Sequence, residues 1–162
     1  MVKIVVMSKS TVLKNVNLSF PHYPEEHITK HFKYSDMLCR GFEKDPCSAK
    51  PPLKARLNLE LVFRDLAEPF TQYLFSLMIR KTPVVAQSYL CPKCLELRGR
   101  KQDDSHAKGL AVDLLFTGLK RVDSLLLSEI ALCWSIESGT TCIAYAKGSC
   151  LHLELDHGVG RR

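Results

Sequence analysis

The sequence predicts an α+β domain in which a small antiparallel sheet is flanked by helices. Apolar residues recur at helical spacing over residues 58–78 and again over residues 123–138. Residues 150–155 instead alternate, with three leucines on one face, as in a strand that has one buried side. Lys147-Gly148-Ser149 is typical of a turn returning the chain from a strand over residues 140–146. A helix that leads into a hairpin favours α+β architecture.

Length and composition fit one globular domain. The chain has 162 residues, of which 46% are hydrophobic and 25% charged, enough for one core and too short for two domains. No apolar run reaches the length of a membrane span. Residues 1–28 are interpreted as a lead-in, with an edge strand expected over residues 2–7 and irregular chain over residues 15–27, and residues 29–162 as the domain.

The first half predicts a loop followed by a long helix. Residues 45–52 contain three prolines and are expected to form a loop. Asn58 is a plausible cap for a helix over residues 59–78, whose apolar stripe packs on the core. Pro69 lies inside this segment and is expected to kink or split the helix.

The second half supplies the sheet and a second helix. Residues 83–86 and 110–116 are expected to be strands, separated by a polar loop over residues 91–104. Asp123 or Ser124 is expected to cap the second helix, which ends near Gly139.

Two histidines and one aspartate are candidates for a metal centre. His106 is expected on a loop, Asp113 on the strand over residues 110–116, and His152 on the strand over residues 150–155. Gly109 would let the backbone turn closely beside a bound ion. Two imidazoles and one carboxylate form a complete protein ligand set for a catalytic zinc, which keeps a fourth position open for water. Ordinary surface or hydrogen-bonded histidines are the alternative, and spacing alone does not decide between the two.

These residues resemble a known zinc-binding pattern. Ser-His-x-x-Gly-x-Ala-x-Asp over residues 105–113, followed by Leu-His-Leu over residues 151–153, resembles the D-alanyl-D-alanine carboxypeptidase and phage endolysin family. That family shares its metal-site fold with the hedgehog signalling domain. The resemblance to its small phage and bacterial branch continues upstream at residues 30–38, 61–70, 82–85 and 88–92, and covers roughly residues 29–156.

The resemblance implies a zinc-dependent peptidase-like protein of hedgehog/carboxypeptidase-like fold that hydrolyses an amide bond in peptidoglycan stem peptides. It assigns His106, Asp113 and His152 to the metal, and Tyr89 and Ser105 to the substrate. The expected partner is peptidoglycan or a peptide substrate, and nucleic acid is not expected.

The sequence departs from the family at functional positions. In the family, the general base is a glutamate that lies six or three residues before the second histidine, where this chain has Ala146 and Ser149. The family's arginine that binds the substrate carboxylate is replaced here by Leu90. Glu154, on the same strand face as His152, is the candidate base, with Asp103 or Asp104 as substitutes. A missing base costs about two to four orders of magnitude in rate. The alternative is therefore a catalytically silent zinc-binding protein of the same fold that recognises the cell wall or another partner.

Charge and cysteine content add weaker constraints. The formal charge of +6 suits an anionic partner such as a wall polymer or nucleic acid, but the basic residues are scattered. A basic nucleic-acid-binding domain remains a third interpretation, although aromatic and basic residues do not interleave. The seven cysteines favour a reduced compartment. Cys91 and Cys94 have metal or redox spacing, but no second Cys-x-x-Cys pair exists for a zinc ribbon, and the pair is interpreted as structural.

The sequence before residue 28 does not predict a signal peptide. We therefore expect synthesis in the cytoplasm, such as that of a viral or phage protein in its host, with separate delivery to the wall.

Overall fold

A computed structural model describes residues 26–42, 45–118 and 121–156. Twelve segments of regular structure follow one another in these ranges. In chain order they are a 3-10 helix (Tyr34–Met37), β1 (Gly41–Phe42), β2 (Asp45–Pro46), α1 (Leu53–Leu61), a π-helical segment (Val62–Ala67), α2 (Glu68–Ser76), β3 (Val84–Gln87), α3 (Pro92–Leu97), β4 (Ala111–Leu115), α4 (Arg121–Ser138), β5 (Cys142–Lys147) and β6 (Cys150–Leu155).

The expected α+β architecture with a small antiparallel sheet is confirmed. Four strands pair in the order β3-β4-β6-β5, and each neighbouring pair is antiparallel. The hairpin of β5 and β6 turns at Gly148 and Ser149, so that Lys147 pairs with Cys150. Strand β6 therefore lies in the interior of the sheet, beside the strand that carries Asp113.

The core lies between one face of the sheet and the helices. Leu114, Leu151 and Leu153 are fully buried on the sheet, and β6 packs against the π-helical segment and α4. Phe70 and Trp134 join α2 to α4, with ring centroids 5.6 Å apart. Burying each large apolar side chain contributes about 1.5–3 kcal/mol, so this face drives the assembly of the domain.

The long helix differs from its expected start. It begins at Leu53, just after Pro52, and runs without interruption through the π-helical segment to Ser76. Asn58 is not its cap but lies within α1, where its side-chain amide donates to the carbonyl of Lys108 at 2.8 Å. Pro69 does not split the helix. It has no N–H to donate to the carbonyl four residues earlier, and the π-helical segment ends two residues before it. There the N–H of Glu68 donates to Phe63, five residues back.

Three other expectations are corrected. The loop expected over residues 91–104 contains α3, which Pro92 opens because proline suits the first helical position. The loop expected over residues 45–52 begins with β2, which pairs with β1. Neither Asp123 nor Ser124 caps α4, which already includes residue 121; the hydroxyl of Ser124 donates to the carbonyl of Gly148 in the hairpin turn.

The strand expected over residues 2–7 and the irregular chain over residues 15–25 lie outside the described residues. Within the described ranges, none of the helices combines the length and the apolar character needed to cross a bilayer.

Candidate metal centre

Asp113 and His152 face each other at the middle of the sheet. They are direct cross-strand partners on β4 and β6, and His152 Nδ1 lies 2.6 Å from Asp113 Oδ1. Both side chains are almost completely buried, with residue exposures of 4% for Asp113 and 1% for His152. A buried carboxylate is tolerated when hydrogen bonds and positive charge compensate for its lost hydration, so this pair requires further partners.

A turn over residues 104–110 brings His106 to the pair. The backbone N–H of His106 donates to Asp104 Oδ1 at 2.9 Å, and Asn58 holds the carbonyl of Lys108. Gly109 has φ of +70°, and a Cβ there would lie 2.2 Å from the carbonyl oxygen of Ala55. The sequence suggested that this glycine lets the chain pass close to an ion, but the close neighbour is the backbone of α1.

The ring of His106 is oriented as a metal ligand. Its Nδ1 lies 3.0 Å from the carbonyl oxygen of Ser88, which can only accept, so Nδ1 carries the proton. Its Nε2 is buried, has no hydrogen-bond partner among the described residues and lies 3.3 Å from Asp113 Oδ1. With the proton on Nδ1, the lone pair of Nε2 can bind a metal ion.

The three side chains can bind a metal ion. One ligand atom from each of His106, Asp113 and His152 lies within 4.8 Å of the other two. Tetrahedral zinc with bonds of about 2.0–2.1 Å separates its nitrogen and oxygen ligands by about 3.3 Å. The distance from His106 to Asp113 already matches this value. His152 Nδ1 and Asp113 Oδ1 would have to separate by about 0.7 Å, because at 2.6 Å they are within hydrogen-bonding distance.

The electrostatics favour an ionised carboxylate. Burial raises the pKa of Asp113, but the rings of His106 and His152 outweigh burial and hold that pKa far below its usual range. Burial lowers the pKa of His152, whereas Asp113 and Glu154 raise it, and the net direction is upward. The carboxylate of Asp113 therefore stays ionised, as a metal ligand must be.

Lys147 and Tyr145 belong to the site, although the sequence reasoning did not single them out. Lys147 Nζ lies 2.6 Å from Asp113 Oδ2, and the Tyr145 ring stacks on His152 with centroids 4.4 Å apart. The turn at Gly148 and Ser149 was the available signal, because a two-residue hairpin turn fixes the register in which Tyr145 opposes His152. Burial, followed by the charges of Asp113 and Glu154, raises the pKa of Tyr145.

The candidate bases occupy different surroundings. Glu154 Oε2 lies 3.3 Å from His152 Nε2, and its side chain is 25% exposed. Asp104 accepts the N–H of His106 and pairs with Arg100 at 2.8 Å, so its carboxylate holds the turn, whereas Asp103 is exposed. Glu154 is thus the candidate base that directly contacts His152, one of the three candidate ligands.

The expected substrate residues have different surroundings. Tyr89 is 5% exposed, and burial, followed by the charges of Cys91, Cys39 and Cys47, raises the pKa of its phenol. Ser105 lies in the turn that carries His106, where its carbonyl accepts the N–H of Leu110 at 2.8 Å. These assignments to substrate remain predictions.

A second group of metal-ligating side chains was missed by the sequence reasoning. Cys39 and Cys47 come together with Cys91 and Cys94, and one sulfur from each lies within 4.8 Å of the other three. Cys39 and Cys47 are eight positions apart, so they do not form a Cys-x-x-Cys pair. The β1–β2 hairpin brings them together.

Comparisons with protein-family models, with curated proteins and with solved structures find no match to this chain.

Proposed function

We propose that the chain is a zinc-dependent peptidase-like protein that hydrolyses an amide bond in peptidoglycan stem peptides, with a fold of the hedgehog/carboxypeptidase type. The observation that carries the proposal is the convergence of His106, Asp113 and His152, which lie up to 46 positions apart in sequence, on one buried point. The sequence resemblance names the same three residues as zinc ligands. Geometry and motif therefore agree on the ligand set.

The surrounding residues hold the ligands in place. Zinc bound here would polarise an amide carbonyl and make a bound water nucleophilic near neutral pH. The carbonyl of Ser88 fixes the ring of His106 with Nε2 toward the site, and Glu154 is positioned to accept from His152 Nε2. Such outer partners orient ligand histidines and typically change metal affinity by about 10–100-fold.

Lys147 and Tyr145 lie beside the candidate ligands. Lys147 neutralises the second oxygen of Asp113, and Tyr145 lies over the ring of His152. A tyrosine hydroxyl is protonated at neutral pH, so Tyr145 can donate a hydrogen bond to the oxyanion that forms during amide hydrolysis. Glu154 is the proposed proton acceptor from the attacking water.

A cavity of about 490 Å³ adjoins the His106 turn and suits a charged peptide. Ala107, Lys108 and Leu110 from the turn line it together with Lys54 and Asn58 from α1. The lysines bring positive charge to this wall, whereas Leu90, at the position of the family's arginine, is fully buried. We infer that the carboxylates of an acidic stem peptide meet these two lysines.

The proposal is tested with purified wall and metal analysis. Release of stem-peptide products is expected from the parent chain, and a chelator should abolish it. His106→Ala should lower zinc by one equivalent per chain and remove activity, because one of three protein ligands is lost. The matched control is His27→Ala, at a histidine paired with Glu26 at 3.4 Å, which should keep both zinc and activity. Product release by His106→Ala at the parent rate would contradict the proposal.

A catalytically silent zinc-binding protein of the same fold is the second candidate. Ala146 and Ser149 supply no carboxylate, and the three ligand residues are only 1%, 4% and 1% exposed. Such burial suits a metal that stabilises the fold. Loss of one zinc equivalent in His106→Ala, together with wall binding but no product from the parent chain, would favour this candidate.

A further inference from the structure

We infer that Cys39, Cys47, Cys91 and Cys94 form a second, structural zinc site, separate from the His106 centre. Two elements supply its ligands. Cys39 and Cys47 flank the β1–β2 hairpin, whereas Cys91 and Cys94 lie at the start of α3. One such ion would tie a hairpin near the start of the described chain to the middle of the domain.

The sulfur positions suit a tetrahedral ion. Zinc–sulfur bonds of about 2.3 Å place two sulfurs of one tetrahedral site about 3.8 Å apart. Cys47 Sγ and Cys91 Sγ lie 3.7 Å apart, and all four sulfurs lie within 4.8 Å of one another. A disulfide requires about 2.05 Å, and all four of these cysteines are free thiols.

Burial and hydrogen bonding also suit thiolate ligands. Cys39, Cys91 and Cys94 are 0%, 7% and 1% exposed. The N–H of Cys91 donates to Cys39 Sγ at 3.5 Å. A backbone donor directed at sulfur stabilises negative charge there, as a thiolate ligand of a metal ion requires.

Four sulfur ligands identify the class of metal and its role. Tetrahedral sites of four thiolates bind zinc or iron, and a closed set of four protein ligands leaves no position for water. The segment that leads into α3 also supports the candidate centre at His106. Ser88, whose carbonyl orients His106, lies in this loop three residues before Cys91. The site is therefore expected to fix the hairpin and this loop rather than to react.

The experiment uses the parent chain purified with zinc under reducing conditions. Total zinc should be two equivalents per chain, and cobalt substitution should produce the visible bands of tetrahedral cobalt thiolate. Alkylation followed by peptide mass analysis should show the four cysteines protected together and exposed together after chelation. Cys133, which is exposed, should react in both conditions and serves as the internal control.

Two variants separate this site from the first. Cys94→Ser should lose one zinc equivalent and the cobalt thiolate bands, while Cys133→Ser should lose neither. His106→Ala should keep the thiolate bands. Iron content with visible charge-transfer absorption would overturn the assignment to zinc. Alkylation of the four cysteines both with and without chelator would overturn the metal site itself. A mass four hydrogens below that of the reduced chain would do the same, because it would show that the cysteines form two disulfides. All of these readings on the parent chain hold even if Cys94→Ser fails to fold.

Discussion

The contact between Glu154 and His152 gives this carboxylate two separable roles. As the base, it would accept a proton from water; as an outer partner, it would only orient the ring across 3.3 Å. We expect Glu154→Gln to lower wall hydrolysis by about two to four orders of magnitude, because the amide cannot take the proton. Zinc content should remain, since glutamine can still accept from His152. The measurement is the hydrolysis rate at saturating zinc.

Two results would assign Glu154 differently. If excess zinc restores the hydrolysis rate of Glu154→Gln to the parent value, Glu154 only positions the ring of His152. Hydrolysis at the parent rate would exclude it as the base and direct attention to Asp103.

Glu68 shows how a buried charge outside the metal centre stabilises the fold. One carboxylate oxygen accepts from Thr29 at 2.8 Å and from the backbone of His31 at 3.1 Å, while the other accepts from Gln72 and contacts the His31 ring, each at 2.8 Å. Burial raises the pKa of Glu68, but the hydrogen bonds from Gln72, Thr29 and His31 outweigh burial and lower that pKa below 4.5. Glu68 therefore joins residues 29–31 to the start of α2.

We predict that Glu68→Gln lowers the free energy of unfolding by about 1–3 kcal/mol at pH 7. Both oxygens face donors, so the new NH₂ group must face one of them. Because the folded pKa lies below the unfolded value, the contribution is present above about pH 4.5 and is lost as pH falls through the folded pKa. Urea unfolding at pH 7 and pH 4 should show the difference narrowing at the lower pH.

The control is Glu60→Gln, in an exposed pair with Arg56 that should contribute less than about 0.5 kcal/mol. Equal losses in the two variants would contradict the buried role of Glu68.

At the scale of elements, the turn over residues 104–110 is held against α1 by Gly109. We predict that Gly109→Ala destabilises the chain by several kcal/mol, since it adds a Cβ 2.2 Å from the Ala55 carbonyl to the strain of φ +70°. Gly148→Ala is the matched control, with φ of +64° and no atom within 4 Å of the added Cβ, and should cost about 1 kcal/mol.

The urea midpoints of Gly109→Ala and Gly148→Ala test whether the close approach of residue 109 to α1 affects stability. If both variants lose the same stability, the close approach to α1 has no consequence and only the backbone angle matters. Zinc analysis adds a second measurement, because displacement of this turn would also move His106 away from Asp113.

For the whole molecule, we predict one cooperative unfolding transition. Trp134 is the only tryptophan of the chain and is 5% exposed. It lies on α4 and packs against Phe70 of α2, so its fluorescence reports on the helix side of the core. Far-UV circular dichroism reports on all elements. The two urea transitions should coincide, because the sheet and the helices share a single core. Chelation should lower the common midpoint, since both candidate metal sites join segments distant in sequence.

A tryptophan transition that precedes the circular dichroism transition would show instead that α2 and α4 separate before the sheet.

The extent of what sequence determined is clearest at β6. The alternation of leucines with Cys150, His152 and Glu154 is a local pattern, because side chains on a strand point to opposite faces, and the strand lies at the expected bounds. The candidate ligand set came from the resemblance around His106, because the spacing of the histidines and the aspartate left ordinary hydrogen-bonded histidines as an alternative. Asn58, by contrast, has the local character of a cap, yet an acceptor fifty positions away, Lys108, uses its amide.

Local patterns thus determined the class of fold and most strands, and the family resemblance suggested the three residues of the candidate centre. The tertiary structure alone decided which side chains surround them: Lys147 on Asp113, Tyr145 on His152, and Ser88 behind His106. It also brought Cys39 and Cys47 to Cys91 and Cys94. The physical reason is that periodicity and turn chemistry act over a few residues, whereas these contacts depend on strand register and on how a hairpin, a turn and a helix pack together.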